Sequence, residues 1–191
     1  MAASAAAATL PHRADFKGFQ RPVAGRGEVR LASAALWKLA HEMGMAPGHK
    51  TITATMEKQS SAFAQGLLSG LFDADGSVQG TQDKGVSVRL SQSDDALLQT
   101  VQRMLVRMGI VSTLYRNRRI AGTRDLPNGK GSMQPYLTRA QHELVISGDN
   151  LEFFAERVGF CDTEKSARLQ EGLAQYQRAL NRERFTATVQ A

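Results

Sequence analysis

The stretch "SSAFAQGLLSGLFDADG" (residues 60–76) constrains the fold more than any other part of the chain. Ser60 or Ser61 can cap a helix running from Ala62 to about Phe72. Within it Ala62, Gly66 and Gly70 recur every four residues, with Ser69 beside them, so one stripe carries almost no side chain. A glycine inside a helix costs roughly 1 kcal/mol relative to alanine, and close approach of a second helix backbone would compensate. A glycine-tolerant core helix is the alternative. Leu67, Leu68, Leu71 and Phe72 fill the rest of the surface and are expected to face a sheet. At the end stand Asp73 and Asp75, followed by Gly76. Carboxylates at a helix C-terminus oppose the macrodipole, so this placement points to chemistry rather than stability. Two such helix ends side by side would offer paired oxygen ligands for a hard cation such as Mg²⁺. Such a metal activates water and stabilises the leaving oxygen in phosphodiester cleavage. The alternative is an ordinary turn, because Asp-Gly is a frequent turn dipeptide.

The residues after Gly76 set the class. "SVQG" and "VSVRLSQ" read as strands; in the second, Val86, Val88 and Leu90 point one way and Ser87, Arg89 and Ser91 the other. The clearest helix comes next. Ser93 is its expected cap, Asp94 and Asp95 lie at its positive end, and Leu97, Leu98, Val101, Leu105 and Met108 form its buried face. Gly109 and Ile110 close it as a Schellman-type stop. "VSTLYRNR" and "YLTRAQHELVIS" read as two further strands joined by a loop from about 120 to 134. A short helix in "NLEFFAERVGF" and a longer one from about Thr163 to Leu180 complete the series. Helix, two strands, helix, two strands, helix, helix is an α+β arrangement with one antiparallel sheet. Upstream, "ASAALWKLAHEMGM" predicts a helix with Leu36, Leu39, Ala40 and Met43 on one face, stopped by Gly44.

That upstream helix has a counterpart. Placing residues 36–50 over 151–165 without a gap, an offset of 151 − 36 = 115, aligns Leu36 with Leu151, Leu39 with Phe154 and Met43 with Val158. Gly44 then meets Gly159 and Lys50 meets Lys165. Chance likeness of two amphipathic helices is the alternative, but the shared Gly-to-Lys spacing favours an internal duplication. Shifting the 68–76 motif back by the same offset falls before Met1, so the first copy of the motif is expected upstream of the chain. The expected organisation is a flexible segment over 1–30, the remnant of a first repeat over 31–58, a complete repeat over 59–182 and a tail over 183–191.

Charge and composition remove other classes. Twenty-four Lys and Arg against 18 Asp and Glu give +6, which favours polyanionic partners. The single Cys161 excludes internal disulfides, a redox pair and a cysteine-rich zinc site, and the four histidines lack metal-ligand spacing. No apolar run reaches membrane-spanning length, and the Ala-rich start lacks the apolar core of a secretory signal. The expectation is a soluble, cytoplasmic protein without membrane partners.

"LSGLFDADG" (68–76) is similar to the LAGLIDADG motif of homing endonucleases, with Ser69 and Phe72 as substitutions, and the subsequent elements resemble that family's αββαββα repeat. More narrowly, residues 50 to about 187 resemble the endonuclease region of inteins in adenosylcobalamin-dependent ribonucleotide reductases. The resemblance implies that Asp75 is the metal ligand, with Mg²⁺ as cofactor, and that Asp73 caps and orients the helix ends. It assigns Gln92 to positioning water; a solvent-facing glutamine is the alternative. It makes Lys165 and Lys50 candidate basic residues of the active site, although Thr53 stands where proline is usual after the latter. It makes the sheet a saddle over duplex DNA, touched by Gln79, Ser87, Arg89 and Ser91. Arg116, Arg118, Arg119 and Arg139 add charge on the later strands. Arginine reads guanine bidentately, and other contacts grip phosphate.

The family needs two motif helices, and this chain carries one. Homodimerisation through Ala62, Gly66, Ser69, Gly70 and Asp73 is the expected remedy. Splicing is not expected, since no junction nucleophile or terminal His-Asn pair is visible. Two alternatives accompany the nuclease reading: a non-cleaving nucleic-acid-binding module or maturase of the same fold, and an inert intein remnant named after its host reductase.

Overall fold

The computed structural model describes residues 11, 13–14, 16–20, 30–46, 51–81, 85–129 and 131–175. The expected flexible segment over 1–30 lies largely outside them, and the tail over 183–191 wholly so. Within the former, β1 (Phe19–Gln20) pairs antiparallel with β2 (Arg30–Leu31), a short ribbon that the unpatterned composition did not announce.

Helix α1 (Ala34–Glu42) starts on a Ser33 cap whose side chain accepts from the Leu36 amide. It ends as expected at Gly44, where φ is +87° and the Met45 amide bonds back to the Ala40 carbonyl. None of its residues is buried. The short α2 (Ala54–Glu57) comes next, and Arg103 grips Glu57 through two N–H···O bonds of 2.6 and 2.9 Å.

The central element is α3 (Ser61–Asp75), capped by Ser60 rather than Ser61. It is longer than predicted and passes straight into β3 (Gly76–Gln79) with no intervening turn, so the Asp-Gly turn alternative falls. The junction requires glycine: a Cβ on Gly76 would lie 2.6 Å from the Phe72 carbonyl oxygen. Then come β4 (Ser87–Gln92) and α4 (Asp95–Arg107). Asp94, not Ser93, caps α4, because its side chain accepts from the Leu97 amide. The predicted Schellman stop forms, with Gly109 at φ +73° and the Ile110 amide bonded to the Leu105 carbonyl.

Between β5 (Thr113–Arg119) and β8 (Gln141–Ser147) the expected loop is instead a hairpin of β6 (Gly122–Pro127) and β7 (Met133–Thr138). The predicted strand over 136–147 thereby splits in two at Arg139–Ala140. Gly, Pro and Asn around "TRDLP" and "MQPYL" obscure the alternation within them. Helices α5 (Asn150–Arg157) and α6 (Thr163–Ala174) close the described chain. Beyond Gln175 the predicted extension of α6 lies outside the described residues.

One antiparallel sheet, ordered β3-β4-β8-β5, organises these elements, and β6-β7 forms a separate ribbon. Its inner face sets Val78, Val88, Leu90, Leu144 and Ile146 against Leu68 and Phe72 of α3, Leu98, Val101, Met104 and Leu105 of α4, and Leu151 and Phe154 of α5. This is the α+β architecture expected from the element order, with a hairpin inserted before the last strand. No helix among the described residues is long and apolar enough to cross a membrane.

Candidate active site and nucleic-acid interface

The register of β3 on β4 builds the first part of the site. Gly76 pairs with Leu90, so the end of β4 at Gln92 lies beside the last turn of α3. Its amide nitrogen donates to Asp75 Oδ2 at 2.7 Å. Asp75 is exposed at the last position of α3, where the macrodipole makes a carboxylate costly. A cation offsets this. Lys165 Nζ donates to the carbonyls of Phe72, at 3.3 Å, and Asp73, at 2.5 Å, in the same final turn. Asp75, Gln92 and Lys165 thus converge on one helix end from three elements separated in sequence. Lys50 lies outside the described residues.

Asp73 does different work. Its carboxylate accepts the amides of Cys161, at 3.0 and 3.2 Å, and Asp162, at 3.1 Å, just before α6. Asp162 in turn caps α6 by accepting from the Lys165 amide at 2.9 Å. Asp73 therefore fixes the segment that delivers Lys165.

The small stripe of α3 is open. Ala62, Gly66 and Gly70 are exposed, and a Cβ on either glycine would meet nothing within 4 Å. Ser69 departs from the expected stripe. It is 7% exposed and its hydroxyl donates to the Gly159 carbonyl at 3.3 Å, because its helical angle turns it inward toward the α5–α6 connection. Asp73, which also faces that connection, is likewise committed within the chain.

The outer face of the sheet holds five of the eight residues expected to touch DNA; Ser87, Arg116 and Arg139 are the exceptions. Ser87 is buried: its hydroxyl donates to the Gln79 carbonyl and accepts from Arg89 Nε. Arg116 leaves this face because strand alternation sends it toward α4, where Nε bonds Asp95 at 3.0 and 3.1 Å. Desolvation raises the Asp95 carboxyl, but hydrogen bonds from Arg116 and Gln99 outweigh it and hold the group below the usual carboxylate range. A register shift between Tyr115 and Arg119, with Asn117 at φ +52°, then returns Arg118 to the outer face. Gln79, Arg89, Ser91, Arg118 and Arg119 line a shallow cleft of about 360 Å³. Arg139 is exposed beside the β7–β8 junction. A larger cleft, about 450 Å³, lies between residues 11–20 and 32–34 and contains none of the site residues.

Gln141, His142 and Glu143 also line the sheet cleft, and no motif marks them in the sequence. For Glu143 a signal exists: in "QHELVIS", Leu144 and Ile146 face the core, so Glu143 must point outward.

A family model described as a LAGLIDADG-like domain matches residues 62–159, the span from the motif helix to the glycine that ends α5. The chain belongs to this LAGLIDADG-like domain family. It is also 31% identical over 122 residues to the ribonucleoside-diphosphate reductase NrdEB subunit alpha of Bacillus subtilis (strain 168), and to the same degree to that of Bacillus phage SPbeta. The match takes in 63% of this chain but 11% of each relative. A chain from the structures of mesophilic variants of the homing endonuclease I-DmoI aligns with a TM-score of 0.41 at 18% identity, covering 69% of this chain and 55% of that one.

Proposed function

We propose that this chain is an intein-type homing endonuclease domain that binds double-stranded DNA and cuts phosphodiester bonds with Mg²⁺ when two motif helices are paired. The observation carrying this reading is the 2.7 Å contact from Gln92 to the exposed carboxylate of Asp75, at a helix end already steadied by Lys165. Asp75 is the residue that would hold the metal. Its chemistry fits a hard cation, yet no group of three or more His, Cys, Asp or Glu able to hold a metal occurs among the described residues. One helix end supplies one carboxylate, and a second end would supply the other. When bound, Mg²⁺ would lower the pKa of a water and neutralise charge at the scissile phosphate. Gln92 would orient Asp75 and the adjacent water, and Lys165 would place positive charge beside the phosphate.

The open stripe of Ala62, Gly66 and Gly70 suits the second helix, supplied by a homodimer or by a preceding repeat whose closing part is residues 31–58. The complete repeat, over 59–182, would then be the second unit of a pair. The cleft around Arg89, Arg118 and Arg119 would meet the duplex. A match confined to 11% of a reductase chain supports an origin as a segment inserted in a host enzyme.

Duplex DNA spanning the uninterrupted reductase gene, incubated with the protein and Mg²⁺, tests cleavage directly. Cutting is expected for the wild type and absent for Asp75→Asn. Cutting that survives Asp75→Asn would remove Asp75 as the ligand, and Mg²⁺-independent cutting would remove the metal. Size-exclusion with light scattering separates the two sources of the second helix: a dimer supports self-pairing, and a monomer that still cuts excludes it.

A further inference from the structure

On the outer face of the sheet, a buried carboxylate sits at the centre of a cationic surface, and the nuclease reading gives it no task. Glu143 lies in the body of β8, opposite Ser91 on β4 and Tyr115 on β5. It is 8% exposed. Its Oε2 accepts from Arg89 Nη1 at 3.3 Å and pairs with Arg118 Nε at 3.4 Å, while Oε1 accepts from Ser91 Oγ at 3.5 Å. Each guanidinium is also held from a second direction. Arg89 Nε donates to Ser87 Oγ at 2.9 Å, and the Arg118 guanidinium lies 5.4 Å from the centre of the Tyr115 ring. A guanidinium has five N–H donors, so both keep donors beyond these contacts.

Two forces act against a carboxylate here. Burying it is costly even when it is paired, and a neutral group of similar shape often serves the fold as well or better. It also repels any polyanion that approaches the face. What it gains is orientation: side chains already fixed lose less freedom on binding, and bidentate reading of guanine depends on the plane of the fork.

We propose that Glu143 is a positioning residue for base recognition, holding Arg89 and Arg118 as fixed forks and keeping them off the phosphates. It lowers sequence-independent grip and raises discrimination. This rests on the reading of the face as a DNA interface.

Selection from duplexes randomised over about one helical turn, ~10 base pairs, tests it with the wild type, Glu143→Gln and Arg89→Lys. Anisotropy on the unselected pool should show Glu143→Gln binding about fivefold tighter, the equivalent of about 1 kcal/mol from an exposed charge contact. Its slope of log affinity against log salt should steepen by about one to two, as freed arginines reach phosphates. Its selected sequences should lose guanine preference. Arg89→Lys, on a partly exposed side chain, keeps the charge without the fork, so discrimination should fall by more than pool affinity does. Glu143→Asp, which keeps the charge but shortens the reach to both arginines, carries the test where Glu143→Gln perturbs folding: lost guanine preference supports positioning, and unchanged preference overturns it. Equal weakening on selected and unselected DNA, with their ratio unchanged, would make Glu143 a plain structural residue and overturn the proposal while leaving the DNA face intact. A wild type that binds neither would overturn the DNA reading and this inference together.

Discussion

Leu36 and Leu39 of α1 and its C-cap Met43 stand where Leu151 and Phe154 of α5 and its C-cap Val158 stand, and both helices close on a left-handed glycine, with φ +87° at Gly44 and +64° at Gly159. Their surroundings differ. Leu151, Phe154 and Val158 are 1%, 0% and 7% exposed, whereas Leu36 and Leu39 are 42% and 47% exposed. α5 comes directly after β8 and packs on the sheet, with Phe154 edge-on to Phe72 at 4.9 Å between ring centres. Before α1 the described residues offer a ribbon of two-residue strands, too small to present a packing face. An apolar stripe therefore records the need for a partner without specifying which one.

The widest separation is expected from truncating the matched pair. Phe154→Ala should cost about 3–5 kcal/mol in urea unfolding, the range for a fully buried aromatic. Leu39→Ala in dilute protein should stay within about 0.5 kcal/mol, as for an exposed side chain. Equal losses would mean that α1 is covered in solution. The two acids of the motif should separate next. Asp73→Ala should cost about 1 kcal/mol by releasing the exposed Cys161 and Asp162 amides to water, and their hydrogen exchange should quicken. Asp75→Asn should leave stability within about 0.5 kcal/mol, since its carboxylate is exposed; a large loss would mark Asp75 as structural.

The glycines come third. Gly66→Ala and Gly70→Ala should each raise stability by about 0.5–1 kcal/mol, because a Cβ there meets nothing within 4 Å. Gly172→Ala should do the reverse, since its Cβ would lie 2.9 Å from Val86. Stabilised Gly66 or Gly70 variants that lose dimer mass in light scattering would locate the partner helix on this stripe.

The smallest effect concerns how α2 is tied to α4. Hydrogen bonding from Arg103, ahead of any other influence, holds the Glu57 carboxyl below its ordinary value of 4.5. A carboxylate with a lowered folded pKa stabilises above the unfolded value, and that contribution fades as pH falls through the folded one. Glu57→Gln should therefore lower stability slightly at neutral pH and converge with the wild type as pH falls below 4.5, which flattens the acid limb. An unaltered acid limb would show that this ion pair does not anchor the upstream segment.

Much of the fold was legible because its signals are local. Alternation in "VSVRLS" and the 3.6-residue pattern of "DALLQTVQRMLVRM" need no tertiary knowledge. Misreadings came where local signals compete: Gly, Pro and Asn hid the β6–β7 hairpin, and Ser93 stood next to the better-placed Asp94. At the site, Asp75 and Gln92 could be named from the motif and a strand end. Glu143 does not stand out among the basic residues around it, although alternation already turns it outward. Arg116 and Ser87 failed for another reason: Asp95 at the start of α4 and a neighbouring arginine, neither readable from spacing, decide what they touch.

The sequence by itself determined the helices, the strands, the apolar stripes and the motif with its two carboxylates, since short-range sterics and periodicity write these directly into neighbouring residues. The tertiary structure alone decided which acid would be consumed in holding the chain and which left open. Asp73 meets the amides of residues 161 and 162, while the β3–β4 register carries Gln92 to Asp75. Both assignments depend on contacts between segments far apart in sequence, and only the packed sheet fixes those distances.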